Sequence, residues 1–187
     1  MFELDEFLHH FEGVRERTRR VAACIPADRV EWTYKPGAFT LGDLVRHIGV
    51  TERFIWAETV HNRPTRYVSH GRELADGKDA VLAFLDRMHA EAMSEFRALT
   101  PDALARKCAT PEGSQMTTWK WLRLMPEHEI HHRGADLDLA REVRPWSAGE
   151  QVLAGDREMT IGRAYRRRVT EAISATTPAR GSTSRSS

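Results

Sequence analysis

What most constrains this chain is the recurrence of apolar residues at three- and four-residue spacings, the period of an α-helix lying against a core. Leu4, Phe7, Leu8, Phe11, Val14, Thr18 and Val21 mark one such face and predict a helix over about residues 3–23, ended by Ile25-Pro26. Leu41, Leu44, Val45, Ile48, Ile55 and Trp56 predict a second over about 40–60. Its start, Thr40-Leu41-Gly42-Asp43, is a capping box in which hydroxyl and carboxylate satisfy unpaired amides. Val81, Leu85, Met88, Ala92, Phe96 and Leu99 predict a third helix over about 78–99, and Thr100-Pro101-Asp102 opens a fresh helical turn. The fourth is expected over about 118–143, stopping before Pro145 and kinked at Pro126. Four long amphipathic helices make the fold class all-α, a four-helix bundle.

Between them, residues 29–39 read as an extended connection with a short strand near Trp32, and residues 62–77 as a long polar loop. Pro111-Glu112-Gly113-Ser114 reads as the tip of a minor β-hairpin formed by 107–110 and 115–118. Beyond Pro145 the pattern changes. Residues 146–157 read as loop, and Ile161, Tyr165, Val169 and Ile173 as a short fifth helix among Arg163, Arg166, Arg167 and Arg168. Residues 176–187 are Ser/Thr/Arg-rich and read as a disordered tail. The expected division is thus a bundle over 1–145, a loop and basic helix over 146–175, and the tail.

A length of 187 residues suits such a domain plus extension. A net charge of +1 gives no general drive toward nucleic acid or a membrane surface, and the arginine cluster at 163–168 reads as solvated surface. Asp5 and Glu6 stand where a signal peptide would carry bases, and no apolar run approaches the ~20 residues that span a bilayer. Cys24 and Cys108 are far apart with no C-x-x-C pair, which fits a reducing compartment. The expected location is cytoplasmic. Lysine is confined to positions 35, 78, 107 and 120 while arginine abounds, which reads as G+C-rich coding and a bacterial source.

The histidines carry the chemistry. In His128-Glu129-Ile130-His131-His132, positions four apart share one helical face with Cβ atoms about 5–6 Å apart, so His128 and His132 can turn toward one metal. His131 points away from that line. His47, between Leu44, Val45 and Ile48, faces the bundle interior. Burying several imidazoles without partners is costly, and a shared cation removes the cost. Three protein ligands leave a coordination position open, as catalytic centres do. Zinc suits such a set, and nickel or iron also suit imidazole. Asp136, four residues after His132, is placed either to accept a ligand's second ring N–H or to pair with Arg133 or Arg141. Glu129 is a candidate general base, but at about 100° per residue it lies off the ligand line, so solvent or an ion pair with Arg133 is expected. Glu52 has the same two readings. Trp56 reads as core, Thr51 as lying on the His47 side, and His9, His10, His61, His70 and His89 as ordinary.

The run His128-Glu129-Ile130-His131-His132-Arg133-Gly134, with Leu41-Gly42-Asp43-Leu44-Val45-Arg46-His47-Ile48 upstream, resembles the DinB family (DinB/YfiT-like) over about residues 1–145. The resemblance implies an up-down-down-up bundle with His47, His128 and His132 as ligands of one divalent metal, zinc first, nickel or iron as alternatives. Known members bind zinc or nickel, often form homodimers, and include S-transferases using bacillithiol or mycothiol. Where the family often has glutamine after the Arg-Gly, this chain has Ala135 and then Asp136. The function so implied is transfer of a low-molecular-weight thiol to an electrophilic small molecule, a metal-bound water or thiolate being the reactive group. The alternatives are metal-dependent hydrolysis of a small amide or ester, and a non-catalytic metal-binding, stress-related protein. A small-molecule substrate and a second copy of the chain are the expected partners, with neither membrane nor nucleic acid.

Overall fold

The computed structural model describes residues 4–67 and 69–143, with side chains as far as Gly134. Helix α1 is Leu4–Ala23, and α2, Leu41–Thr51, runs through a π-helical turn, Glu52–Trp56, into α3, Ala57–Val60. Then come α4 (Lys78–Arg97), the short α5 (Pro101–Ala105), strands β1 (Lys107–Ala109) and β2 (Gln115–Thr117), and α6 (Thr118–Val143). Single 3-10 turns at Ala27–Arg29 and Arg72–Leu74 punctuate the two long connections.

Side-chain pairings fix the helix directions. Phe7 meets Trp119 at one end of α1, and Arg133 reaches the Val14 carbonyl and the Thr18 hydroxyl toward the other, so α1 and α6 run parallel. Glu12 pairs with Arg97 and Arg19 with Asp86, so α1 and α4 are antiparallel. Arg46 donates to the Ala75 carbonyl just before α4, and Arg53 pairs with Glu91 further along, which makes α2 and α4 parallel. His47 lies by His132 and Trp56 by Trp121, so α2 and α6 are antiparallel. The bundle is therefore up-down-down-up. Both α1 and α2 pack against α4 and α6. The core falls into one cluster built on Phe7, Phe11, Trp56, Phe96, Leu122 and Met125, a second on Val21, Leu41, Val45, Ile48, Val81 and Leu85, and a small third of Val50, Phe84 and Met88.

The start of α2 is tightly specified. The Thr40 hydroxyl accepts from the Asp43 amide at 2.9 Å, and the Asp43 carboxylate accepts from the Thr40 amide at 3.0 Å. The next two free amides, Leu41 and Gly42, donate to the carbonyls of Trp32 (3.1 Å) and Val30 (2.6 Å). The strand expected near Trp32 is accordingly absent: its backbone serves the helix start. Gly42 is needed for that approach, since a Cβ there would lie 2.7 Å from Val30 Cγ1 and 2.9 Å from Arg46 Nη2. Arg46 is fully buried, between Glu31, Asp43 and the Ala75 carbonyl.

The hairpin forms as expected, with Lys107↔Thr117, Cys108↔Met116 and Ala109↔Gln115 opposite one another and Gly113 at φ 82° in the turn. Helix α6 continues through Pro126 as one element. The loop, fifth helix and tail expected beyond Pro145 lie outside the described residues. Among the described residues no helix is long and apolar enough to cross a membrane.

Candidate metal centre

Helix α6 carries two working lines. Trp121, Met125, His128 and His132 follow at three- and four-residue steps and face α2; Trp119, Glu129 and Arg133 lie about a quarter-turn away and face α1. On the first line His128 and His132 have ring centroids 4.5 Å apart. His47, from the facing α2, lies 5.4 Å from His128 and 4.6 Å from His132. One ring nitrogen from each of the three falls within 4.8 Å of the other two, a spacing that suits a common ion at imidazole–metal distances near ~2.0–2.1 Å. His131 stays off this cluster, its ring 5.1 Å from His132.

The electrostatics suit a cation as well. Burial, then the charge of His70, pushes His47 down to about 4. Burial, then His47, His131 and Arg15, pushes His128 down to about 3, and burial with the neighbouring histidines pushes His132 down to about 2. All three are neutral near pH 7 and offer lone pairs. The donor set fits a divalent ion of the zinc, nickel or iron kind.

The outer wall comes from residues whose sequence context is ordinary. Tyr67, in the crossover between α3 and α4, places its hydroxyl 2.9 Å from His47 Nδ1 and 2.8 Å from His70 Nδ1. Phe39 stacks on His70 at 4.1 Å and meets the His47 ring edge-on at 5.5 Å. Burial and the Asp43 carboxylate push the Tyr67 phenol up, so it keeps its proton. The inner wall is Trp56, buried, 4.0 Å from Trp121 and 6.0 Å from His128.

The π turn organises both walls. The Thr51 hydroxyl donates back to the His47 carbonyl at 2.8 Å and the Ile48 carbonyl at 3.1 Å, a bond that bends helices. Ala57 then reaches back to the Glu52 carbonyl, one residue further than in an α-helix. The Phe54 carbonyl in this turn accepts the Arg66 amide at 3.1 Å, pinning the residue next to Tyr67. Buried Glu58 gathers Arg53, Arg63 and Arg66, each at 2.7 Å. Burial would raise its carboxyl, but these guanidiniums hold it below the ordinary range.

Glu129 departs from expectation. It does not face solvent; it is buried with its carboxylate 3.0 Å from Arg15. Its quarter-turn offset from the histidines points it at α1, because α6 is packed on both of those sides. Arg15 also pairs with buried Glu52, whose other oxygen lies 2.8 Å from His89 Nδ1. Glu52 and His89 thus belong to a core polar network, where the sequence leaves Glu52 open and His89 ordinary. The only local sign is a charge on an apolar stripe: Arg15 follows Phe11 by four, and Glu52 follows Ile48 by four. His9 and His10 are exposed, His61 pairs with Glu95 at 3.1 Å, and Cys108 is buried in β1. The side chains of Ala135 and Asp136 lie outside the described residues.

Comparison with known proteins agrees with this architecture. No curated protein matches the chain. Solved structures do: a DinB-like protein of Bacillus subtilis (YjoA), at 20% identity over 74% of this chain and 92% of that one, TM-score 0.57. A DinB-like protein of Bacillus cereus matches at 16% identity, over 74% and 91%, TM-score 0.61. YfiT of Bacillus subtilis, described as a probable metal-dependent hydrolase with an unusual four-helix bundle topology, matches at 17% identity, over 77% and 89%, TM-score 0.59. The sequence profile of the DinB superfamily covers residues 10–135, which includes all three clustered histidines. With that span matched and the bundle formed, the chain belongs to the DinB superfamily.

Proposed function

We propose that this protein is a divalent-metal-dependent enzyme acting on a small molecule, with His47, His128 and His132 as ligands and zinc, nickel or iron as the ion. The observation that carries the reading is the convergence of three half-buried, neutral imidazoles from two helices within 4.8 Å. Bound there, a divalent ion supplies Lewis acidity that lowers the pKa of whatever enters its open position. The chain's own contribution is to hold the ligands and to shield them. Helix α6 sets two rings one turn apart, α2 supplies the third, and Trp56 and Phe39 exclude water from the flanks.

The concrete reaction we propose is transfer of a low-molecular-weight thiol, of the bacillithiol or mycothiol type, to an electrophile. Hydrolysis of a small amide or ester is the second reading, favoured by the description of YfiT. Elemental analysis is the first test: wild type should carry about one equivalent of metal, with His128→Ala and His132→Ala carrying little. Comparable metal in both variants would overturn the site. In a cobalt-substituted sample, a thiol-to-metal charge-transfer band on adding a low-molecular-weight thiol supports transfer. Its absence, together with cleavage of activated esters, replaces transfer by hydrolysis.

A further inference from the structure

The crossover between α3 and α4 is unlike a loop that merely connects. Arg66 is fixed by its amide to Phe54 and by its guanidinium to Glu58. The adjacent Tyr67 then sets its phenol between His47 and His70 at 2.9 and 2.8 Å, and Phe39 backs His70. With Nδ1 of His47 turned to Tyr67, Nε2 is the nitrogen left for the histidine cluster. That requires the tautomer with the proton on Nδ1, which donates to the phenol oxygen, while the phenol O–H donates to His70 Nδ1.

We propose that Tyr67 is a positioning residue for the metal centre: with His70 behind it, it holds the His47 ring in the orientation and tautomer that offer Nε2 to the ion. This rests on the metal-ligand reading above and adds two residues to it. A hydrogen-bond acceptor on the second ring nitrogen locks the ring and raises its basicity, and losing such a partner typically costs about 10- to 100-fold in metal affinity. The arrangement is asymmetric, since it serves only the ligand from α2; His128 and His132 share a helix that already spaces them.

The test is zinc affinity at pH 7, measured by competition with a chromophoric chelator on wild type, Tyr67→Phe, His70→Ala and the double variant. Tyr67→Phe should bind zinc about 10- to 100-fold more weakly, and His70→Ala more weakly than wild type. The double variant should match Tyr67→Phe, because His70 acts through the phenol. Nitrogen-15 shifts of the metal-free His47 ring should report protonated Nδ1 in wild type and a tautomer mixture in Tyr67→Phe. Thermal melts of the metal-free proteins separate this from a folding defect: a packing role alone would lower the melting temperature and leave affinity and tautomer unchanged, which would overturn the proposal. A wild type that takes up no zinc would instead overturn the metal reading itself.

Discussion

Arg15 is buried from three sides of the bundle, between the carboxylates of Glu52 and Glu129, with Arg133 held nearby on α1 backbone and hydroxyl oxygens. A guanidinium there is sustained by its partners, and removing it leaves two carboxylates facing each other in a low-dielectric core. Breaking a buried pair from one side costs about 3–5 kcal/mol. Arg15→Met should therefore lower unfolding free energy by about that much in urea titrations, and adding Glu52→Gln and Glu129→Gln should recover most of it. An Arg15→Met protein as stable as wild type would show the cluster to be energetically idle. At this scale the sequence was half legible. His47, His128 and His132 stand out because their spacing and apolar neighbours are local. Arg15, Glu52 and Glu129 each look like one misplaced charge until three helices bring them together, and Tyr67 and His70 lie twenty or more residues from the ring they serve.

Among the elements, α2 has the most demanding boundaries. The run from Leu41 to Ile48 is largely structural: Leu41 and Val45 are core, Gly42 permits the close approach of Val30, Asp43 caps, Arg46 is buried, and only His47 enters the site. Gly42→Ala should cost about 1–3 kcal/mol as an overpacked contact, and Thr40→Ala about 1 kcal/mol as a lost cap. Equilibrium unfolding of the two variants checks both, and a neutral Gly42→Ala would mean Val30 yields freely. Helix positions, the capping box and the hairpin follow from periodicity and turn chemistry and are readable along the chain. The π turn is not, because one surplus residue leaves apolar positions on either side in place, and its causes, a back-bonded Thr51 and an inward Glu52, belong to the fold.

For the molecule as a whole, the histidine cluster makes stability depend on pH when no metal is bound. Its three groups sit at about 4, 3 and 2 in the folded chain against an ordinary value of 6.5. The unfolded chain therefore binds more protons as pH falls from 6.5 toward 4, so stability is fully present above that window and is lost on acidification. Three groups at about 1.4 kcal/mol per unit each set a slope of up to about 4 kcal/mol per pH unit. Glu129, raised by burial, works in the opposite direction, one group against three. Urea midpoints of metal-free protein should fall steeply between pH 6.5 and 4.5, and a flat profile would contradict the half-buried, neutral state of these rings.

The order of the helices has a further consequence. Because α2 and α4 point the same way, the chain leaving Val60 must travel back the length it has just descended, about 30 Å for the run from Leu41 at 1.5 Å per residue. The return path passes the histidine end of the bundle, so the topology itself delivers a strip of irregular chain to the mouth of the site. In a bundle of alternating helices that span would shrink to a tight corner remote from the chemistry. Here, substitutions in one non-helical stretch can retune how the ion is gripped and what may approach it, with every helix left as it is.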